Sequence, residues 1–128
     1  MKILVTGGAG FIGSNLIKLL LNKKHIVHSL DNYSTGNIKI KGCEYFKGDI
    51  TEIDTIHQDY NIIFHLAAQS RVQPSFKNPT ETYRVNVTGT EAVCKFAHII
   101  KAKVVYAGSS SKHHNPATSP YAMYKYLG

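Results

Sequence analysis

The run Lys2-Ile3-Leu4-Val5-Thr6 passes directly into Gly7-Gly8-Ala9-Gly10-Phe11-Ile12-Gly13, and an amphipathic segment follows. A strand, a glycine turn and a helix satisfy that order. Gly7 permits the tight turn, Gly10 lets the backbone approach a ligand, and Gly13 allows the helix to pack closely on the strand. The start of such a helix carries free N–H groups and the positive end of a dipole, which suits a pyrophosphate. Spaced glycines alone are a weak signal. Here the strand before them and the helix after them, over about 12–22 with Lys23 and Lys24 at its end, supply the required context.

His25-Ile26-Val27-His28-Ser29-Leu30 reads as a second buried strand ending at Asp31, eighteen residues after Gly13. A carboxylate there accepts both ribose hydroxyls of an adenosine and repels a 2′-phosphate, which selects NAD over NADP. The competing reading is a turn cap shared with Asn32, a common role for Asp and Asn.

A short strand over 43–47 leads to Gly48-Asp49-Ile50, and Thr51-Glu52-Ile53-Asp54 resembles a capping box opening a short helix. A fourth strand covers 61–68. A long helix runs from Pro79 to about Lys101, with Val85, Val93, Phe96, Ala97 and Ile100 broadly at helical spacing. A fifth strand over 103–107 ends at Gly108-Ser109-Ser110-Ser111. The alternation predicts an α/β fold: a Rossmann-like doubly wound parallel sheet of order 3-2-1-4-5 that stops before a sixth strand. The loops after Thr6, Leu30, Asp49, Ala67 and Ala107 then converge on one cleft at the switch point between strands 1 and 4.

At 128 residues the chain is expected to be one domain, 1–128, with room for a cofactor-binding unit and no separate substrate domain. No stretch approaches the ~20 apolar residues of a bilayer span, and Met1-Lys2-Ile3-Leu4-Val5 leads into no signal-peptide core. A cytoplasmic protein is expected, with Cys43 and Cys94 reduced, buried and structural. The net charge of +7 is dispersed, without the basic tract interleaved with aromatics that marks nucleic-acid binding; it suits an anionic dinucleotide equally well. Of the seven histidines, His25, His28, His57, His65 and His98 fall on different elements, and the adjacent His113-His114 are poorly spaced for one ion. No metal site is expected.

Ser119-Pro120 reads as an N-cap followed by proline at the first helical position. Tyr121 and Lys125, four residues apart, share a face of that helix. An ammonium beside a phenol favours phenolate and makes Tyr121 a general base for a sugar hydroxyl. A serine hydroxyl at the end of the fifth strand could bond the same substrate oxygen. Tyr124 is the competing phenol, with no lysine four residues beyond it.

Thr6-Gly7-Gly8-Ala9-Gly10-Phe11-Ile12-Gly13, Asp31-Asn32-Tyr33-Ser34-Thr35-Gly36, Gly48-Asp49-Ile50, His65-Leu66-Ala67-Ala68-Gln69, Asn86-Val87-Thr88-Gly89-Thr90 and Tyr121-x-x-x-Lys125 occur in one order over nearly the whole chain. In that order they resemble the extended short-chain dehydrogenase/reductase family, in particular its NAD-dependent sugar-nucleotide epimerases and dehydratases. The resemblance implies NAD held by Gly7, Gly10, Phe11, Ile12 and Gly13, and by Asp31, Asn32, Ser34, Thr35 and Gly36. It implies Asp49 and Ile50 beside the adenine, Leu66, Ala67, Ala68, Gln69 and Asn86 along the cofactor's path, and Tyr121 and Lys125 at its nicotinamide end. Ser109, Tyr121 and Lys125 are the implied catalytic residues, with Ser110 replacing Ser109 if the register slips by one.

The implied chemistry is transient hydride transfer to NAD from a sugar nucleotide, a UDP-sugar among the candidates. A homodimer is expected through the long helix and the Tyr121 helix, with neither nucleic acid nor membrane as partner. Family members usually run more than twice this length. Lys112-His113-His114 replaces the family's Val-Tyr-Gly after the serines, and eleven residues separate Ser109 from Tyr121. The alternative to an enzyme is a minimal NAD-binding module with little or no catalysis, regulatory or completed by a partner chain.

Overall fold

A computed structural model describes residues 1–113 and 115–128; the His113-His114 pair therefore falls partly outside the described residues. Strands β1 (Lys2–Thr6), β2 (Ile26–Asp31), β3 (Glu44–Lys47), β4 (Ile62–His65) and β5 (Lys103–Tyr106) form one sheet of order β3-β2-β1-β4-β5. All four pairings are parallel. This is the topology expected from the sequence. The register lines up Phe46, Leu30, Thr6, His65 and Tyr106 across the sheet near its C-terminal edge.

The central strand β1 is buried along Ile3-Leu4-Val5-Thr6 because helices cover both faces of a parallel sheet. On one face α1 (Phe11–Asn22) packs Ile17 and Leu20 against Ile3, Val5 and Val27. On the other, α4 (Gly89–Ile100) packs Val93, Phe96 and Ala97 against Leu4, Leu30 and Ile63. Each large side chain so buried stabilises the fold by about 1.5–3 kcal/mol.

Several local features differ from expectation. Helix α2 (Val72–Lys77) has no counterpart in the sequence reading, since six residues with an internal proline carry no periodic stripe. Pro74 lies within its first turn, where a backbone N–H has no intrahelical acceptor to lose. The long helix has its expected extent, but α3 (Pro79–Tyr83) passes into α4 through a π-helical turn, Arg84–Thr88. The short helix is a 3-10 segment, Ile50–Thr55, and its cap is Asp49: the carboxylate accepts from Thr51 N at 2.9 Å, so Thr51 does not open a capping box. Strand β4 ends at His65; beyond it Leu66 N donates to both Thr6 O and Thr6 Oγ1, and Ala67 N to Thr6 Oγ1. Cys43 precedes β3 and is half-buried, and Cys94 is exposed on α4, contrary to the expectation that both are buried. Helix α5 (Pro120–Leu127) has the expected cap, with Ser119 Oγ accepting from Ala122 N at 3.0 Å. Among the described residues no helix is long and apolar enough to cross a membrane.

Candidate functional site

A cavity of about 400 Å³ opens where the loops after all five strands meet. The glycine loop forms its floor. Gly7 has φ +73°, and a Cβ there would stand 2.9 Å from Ala67 N. A Cβ on Gly13 would stand 2.3 Å from the Gly7 carbonyl oxygen, whereas one on Gly10 would meet only that oxygen, at 3.4 Å. Gly10 therefore matters for what approaches from the cavity. Ser14 N is the first amide of α1 to bond back, to Gly10 O at 2.9 Å, which leaves Phe11, Ile12 and Gly13 N–H free. The first turn carries no acidic residue. A helix start with free donors and no competing carboxylate fits a pyrophosphate. Phe11 and Ile12, 79% and 69% exposed, supply apolar surface at the cavity mouth.

At the end of β2, Asp31 has the anticipated role of turn cap. Its Oδ1 accepts from Tyr33 N at 2.8 Å, closing an Asx turn, and its Oδ2 accepts from Ala9 N at 2.9 Å, tying that turn to the glycine loop. Each oxygen keeps a lone pair for a ribose hydroxyl. Asn32, Ser34 and Thr35 line the same wall. Gly36 stands behind it, where a Cβ would come within 2.5 Å of the Ala9 carbonyl oxygen.

At the β3 end, Asp49 and Ile50 line the cavity with Leu30, Gly48 and Val85. Asp49 Oδ1 accepts from Thr51 N, from Thr51 Oγ1 at 2.7 Å and from an Arg84 guanidinium nitrogen at 2.8 Å. Arg84 in turn grips both oxygens of Glu81, at 2.8 and 2.7 Å. The hydrogen bond from Arg84, helped by Thr51 and opposed by partial burial, holds the Asp49 carboxyl down at about 2. Asp49 is a pure acceptor at neutral pH.

The loop after β4 puts Leu66, Ala67, Ala68, Gln69 and Ser70 on the cavity wall, and a buried polar chain holds it there. Thr90 Oγ1 donates its one hydrogen to Asn86 O at 2.8 Å, so it accepts from His65 Nε2 at 3.0 Å. His65 Nδ1 then accepts from Thr6 Oγ1 at 2.9 Å, and Thr6 Oγ1 accepts from Leu66 N and Ala67 N, both at 3.2 Å. Burial, and secondarily the Lys125 charge, hold His65 down at about 4, so the ring is neutral. Asn86, in the π turn, is buried; its amide accepts from Gln69 N at 2.8 Å and donates to Gln69 O at 3.0 Å. It clamps the loop and is not among the residues lining the cavity.

Ala107 lines the cavity at the end of β5. Lys125 on α5 is buried and donates to the Ala107 carbonyl at 2.7 Å. Burial pushes its ammonium down to about 8. Tyr121 is half-buried, and its backbone N–H donates to Ser75 Oγ of α2 at 3.0 Å. Ser109 Oγ pairs with Ser111 Oγ at 2.8 Å, and Ser110 is exposed. Among the described residues no hydrogen bond joins Ser109, Tyr121 and Lys125 to one another, and none of the three lines the cavity. Among the same residues no group of three potential ligands could hold a metal ion.

Leu30, Gly48, Ser70, Val85 and Ala107 line the cavity without being among the site residues expected from sequence. Leu30, Gly48 and Ser70 each adjoin a residue that was, and that adjacency at a strand's C-terminal end was the available signal.

The model of the family described as "NAD dependent epimerase/dehydratase" matches residues 3–127. A UDP-glucose 4-epimerase of Halalkalibacterium halodurans is 37% identical over 128 aligned positions, covering 94% of this chain and 38% of the relative. UDP-glucuronic acid decarboxylase 6 of Arabidopsis thaliana is 37% identical over 130, covering 94% and 37%. The solved structure of UDP-glucose 4-epimerase from Brucella ovis in complex with NAD superposes with a TM-score of 0.88 at 28% identity, over 98% of this chain and 45% of that one. This chain thus spans less than half the length of these proteins.

Proposed function

The chain belongs to the NAD-dependent epimerase/dehydratase family, and on that premise we propose that its cleft carries NAD for transient oxidation of a UDP-sugar. The single observation that carries the reading is the convergence on one cavity of the open start of α1, the Asp31 carboxylate and the Asp49–Ile50 wall. Phe11, Ile12 and Gly13 N–H would bond the pyrophosphate, Asp31 the adenosine ribose, and Asp49 the adenine edge beside Ile50 and Val85. The crevice then runs past Ala67 and Ala68 to Ala107, where Lys125 would bond the nicotinamide ribose.

Bound NAD supplies a reversible hydride acceptor for a sugar carbon. Tyr121 takes the proton of the hydroxyl on that carbon, as general base. Lys125 lies four residues on, on the same face of α5. Ser109 donates a hydrogen bond to the oxygen that loses the proton. The names of the two relatives, an epimerase and a decarboxylase, both state a UDP-sugar, and this chain aligns with part of each.

A second reading, an NAD-binding module without turnover, draws on the lack of any hydrogen bond joining Ser109, Tyr121 and Lys125 among the described residues. Incubation of the chain with NAD and either UDP-glucose or UDP-glucuronic acid, followed by chromatography of the sugar nucleotide, separates the two. The enzyme reading expects conversion of one of them and at least about a hundredfold loss in Tyr121→Phe. No conversion alongside measurable NAD binding supports the module, and a fully active Tyr121→Phe moves the base to Tyr124.

A further inference from the structure

Lys125 is buried, and among the described residues no carboxylate pairs with its ammonium. Its one hydrogen bond among those residues goes to the neutral Ala107 carbonyl. A buried charge with a single neutral acceptor is costly, and the face of an aromatic ring is one way to supply the missing negative potential. Lys125 Nζ lies over the Tyr106 ring, 4.3 Å from its centroid.

Tyr106 is held in place from β4. It pairs in register with His65, and the two rings stand 5.6 Å apart. His65 is itself fixed between Thr6 and Thr90 as a neutral imidazole, so it brings no second positive charge toward Lys125. Tyr106 stays neutral as well, because burial and then the nearby Tyr121 and Cys94 raise its phenol above the ordinary range. The Tyr106 hydroxyl is buried without a hydrogen-bond partner among the described residues. The ring, and not the hydroxyl, is what meets the charge.

We propose that Tyr106 is a positioning residue, whose ring face keeps the Lys125 ammonium charged and directed to the end of β5. It acts on the chemistry only through Lys125, and so rests on the reading of Lys125 as a residue of the NAD site. An unpaired hydroxyl in a tyrosine at this point is unfavourable for folding, and Tyr106→Phe removes it without removing the ring.

The test is an NMR titration of isotope-labelled lysines in the 128-residue chain without cofactor, with the Lys125 signal assigned by its loss in Lys125→Arg. Tyr106→Phe is expected to leave the Lys125 midpoint where the parent has it, near 8, with a melting temperature no lower than the parent's. Difluorophenylalanine and then trifluorophenylalanine at position 106 keep the shape and drain the ring face, and are expected to lower the midpoint stepwise. The fall reaches about one pH unit, a tenfold loss of proton affinity. A midpoint that stays constant across the fluorinated series overturns the proposal, as does a Tyr106→Phe shift as large as the trifluoro shift. The underlying site reading is tested separately by NAD titration of Lys125→Ala. Undiminished affinity there would defeat the site reading and leave the ring–ammonium contact standing.

Discussion

Replacing Lys125 with methionine should show what the site costs the fold. The ammonium is buried, and burial lowers it from 10.5 to about 8. A separation of about 2.5 pH units, at 1.36 kcal/mol per unit, corresponds to about 3 kcal/mol by which folding disfavours the charged form. Methionine keeps the apolar stem but leaves the Ala107 carbonyl without its donor, a loss of about 1–3 kcal/mol. At pH 7, Lys125→Met is therefore expected to equal the parent or exceed it by up to about 2 kcal/mol. The pH dependence is the sharper signature. A lysine whose folded-state value is depressed gives up its proton first in the folded form, while the unfolded chain holds its proton to about 10.5. Between pH 8 and 10.5 the unfolded state binds more protons, so the parent gains stability relative to the variant as pH rises, by about 3 kcal/mol across the window. Urea unfolding of both proteins at pH 7, 8, 9 and 10.5 reads this directly. A difference that stays flat with pH, or moves against the parent, would refute the reasoning.

Gly10→Val is expected to fold, since a Cβ there meets only Gly7 O at 3.4 Å, but to lose NAD binding; Gly13→Ala is expected to unfold or lose several kcal/mol, because its Cβ would press on backbone at 2.3 and 2.7 Å. Circular dichroism with calorimetry tests both, and a stable Gly13→Ala or an NAD-binding Gly10→Val contradicts the geometry. His65, held at about 4 against 6.5 unfolded, is charged more readily in the unfolded chain, so stability is full above pH 6.5 and falls by about 3 kcal/mol toward pH 4. NMR of the His65 ring should show it neutral at pH 5.5; a ring that protonates near 6.5 would contradict the buried chain.

The sheet order was legible because each strand announces itself locally, and right-handed crossovers leave few arrangements for strands that alternate with helices. Asp31 could be singled out for a similar reason: it stands at a strand's C-terminal end after a glycine loop. The structure shows the turn cap, which leaves lone pairs on both carboxylate oxygens, so the two readings of Asp31 do not exclude each other. Asn86 could be picked out by its motif, but its task, clamping both backbone groups of Gln69, depends on a π turn that propensity does not encode. His65 entered only as a member of His65-Leu66-Ala67-Ala68-Gln69 and among the histidines weighed as metal ligands. Its role needs Thr6 and Thr90, 59 and 25 residues away, to converge on one imidazole. Tyr106 was invisible for the same reason, since nothing near it in sequence signals the lysine that lies over its ring.

Calorimetric titration of the chain with NAD and with NADP tests the central claim most directly. With the adenosine ribose at Asp31, as proposed, the carboxylate repels a 2′-phosphate, so NAD is expected to bind at least about tenfold more tightly, and Asp31→Ala is expected to erase most of that preference. Equal affinity for the two dinucleotides in the parent, or no binding of either, would contradict the account.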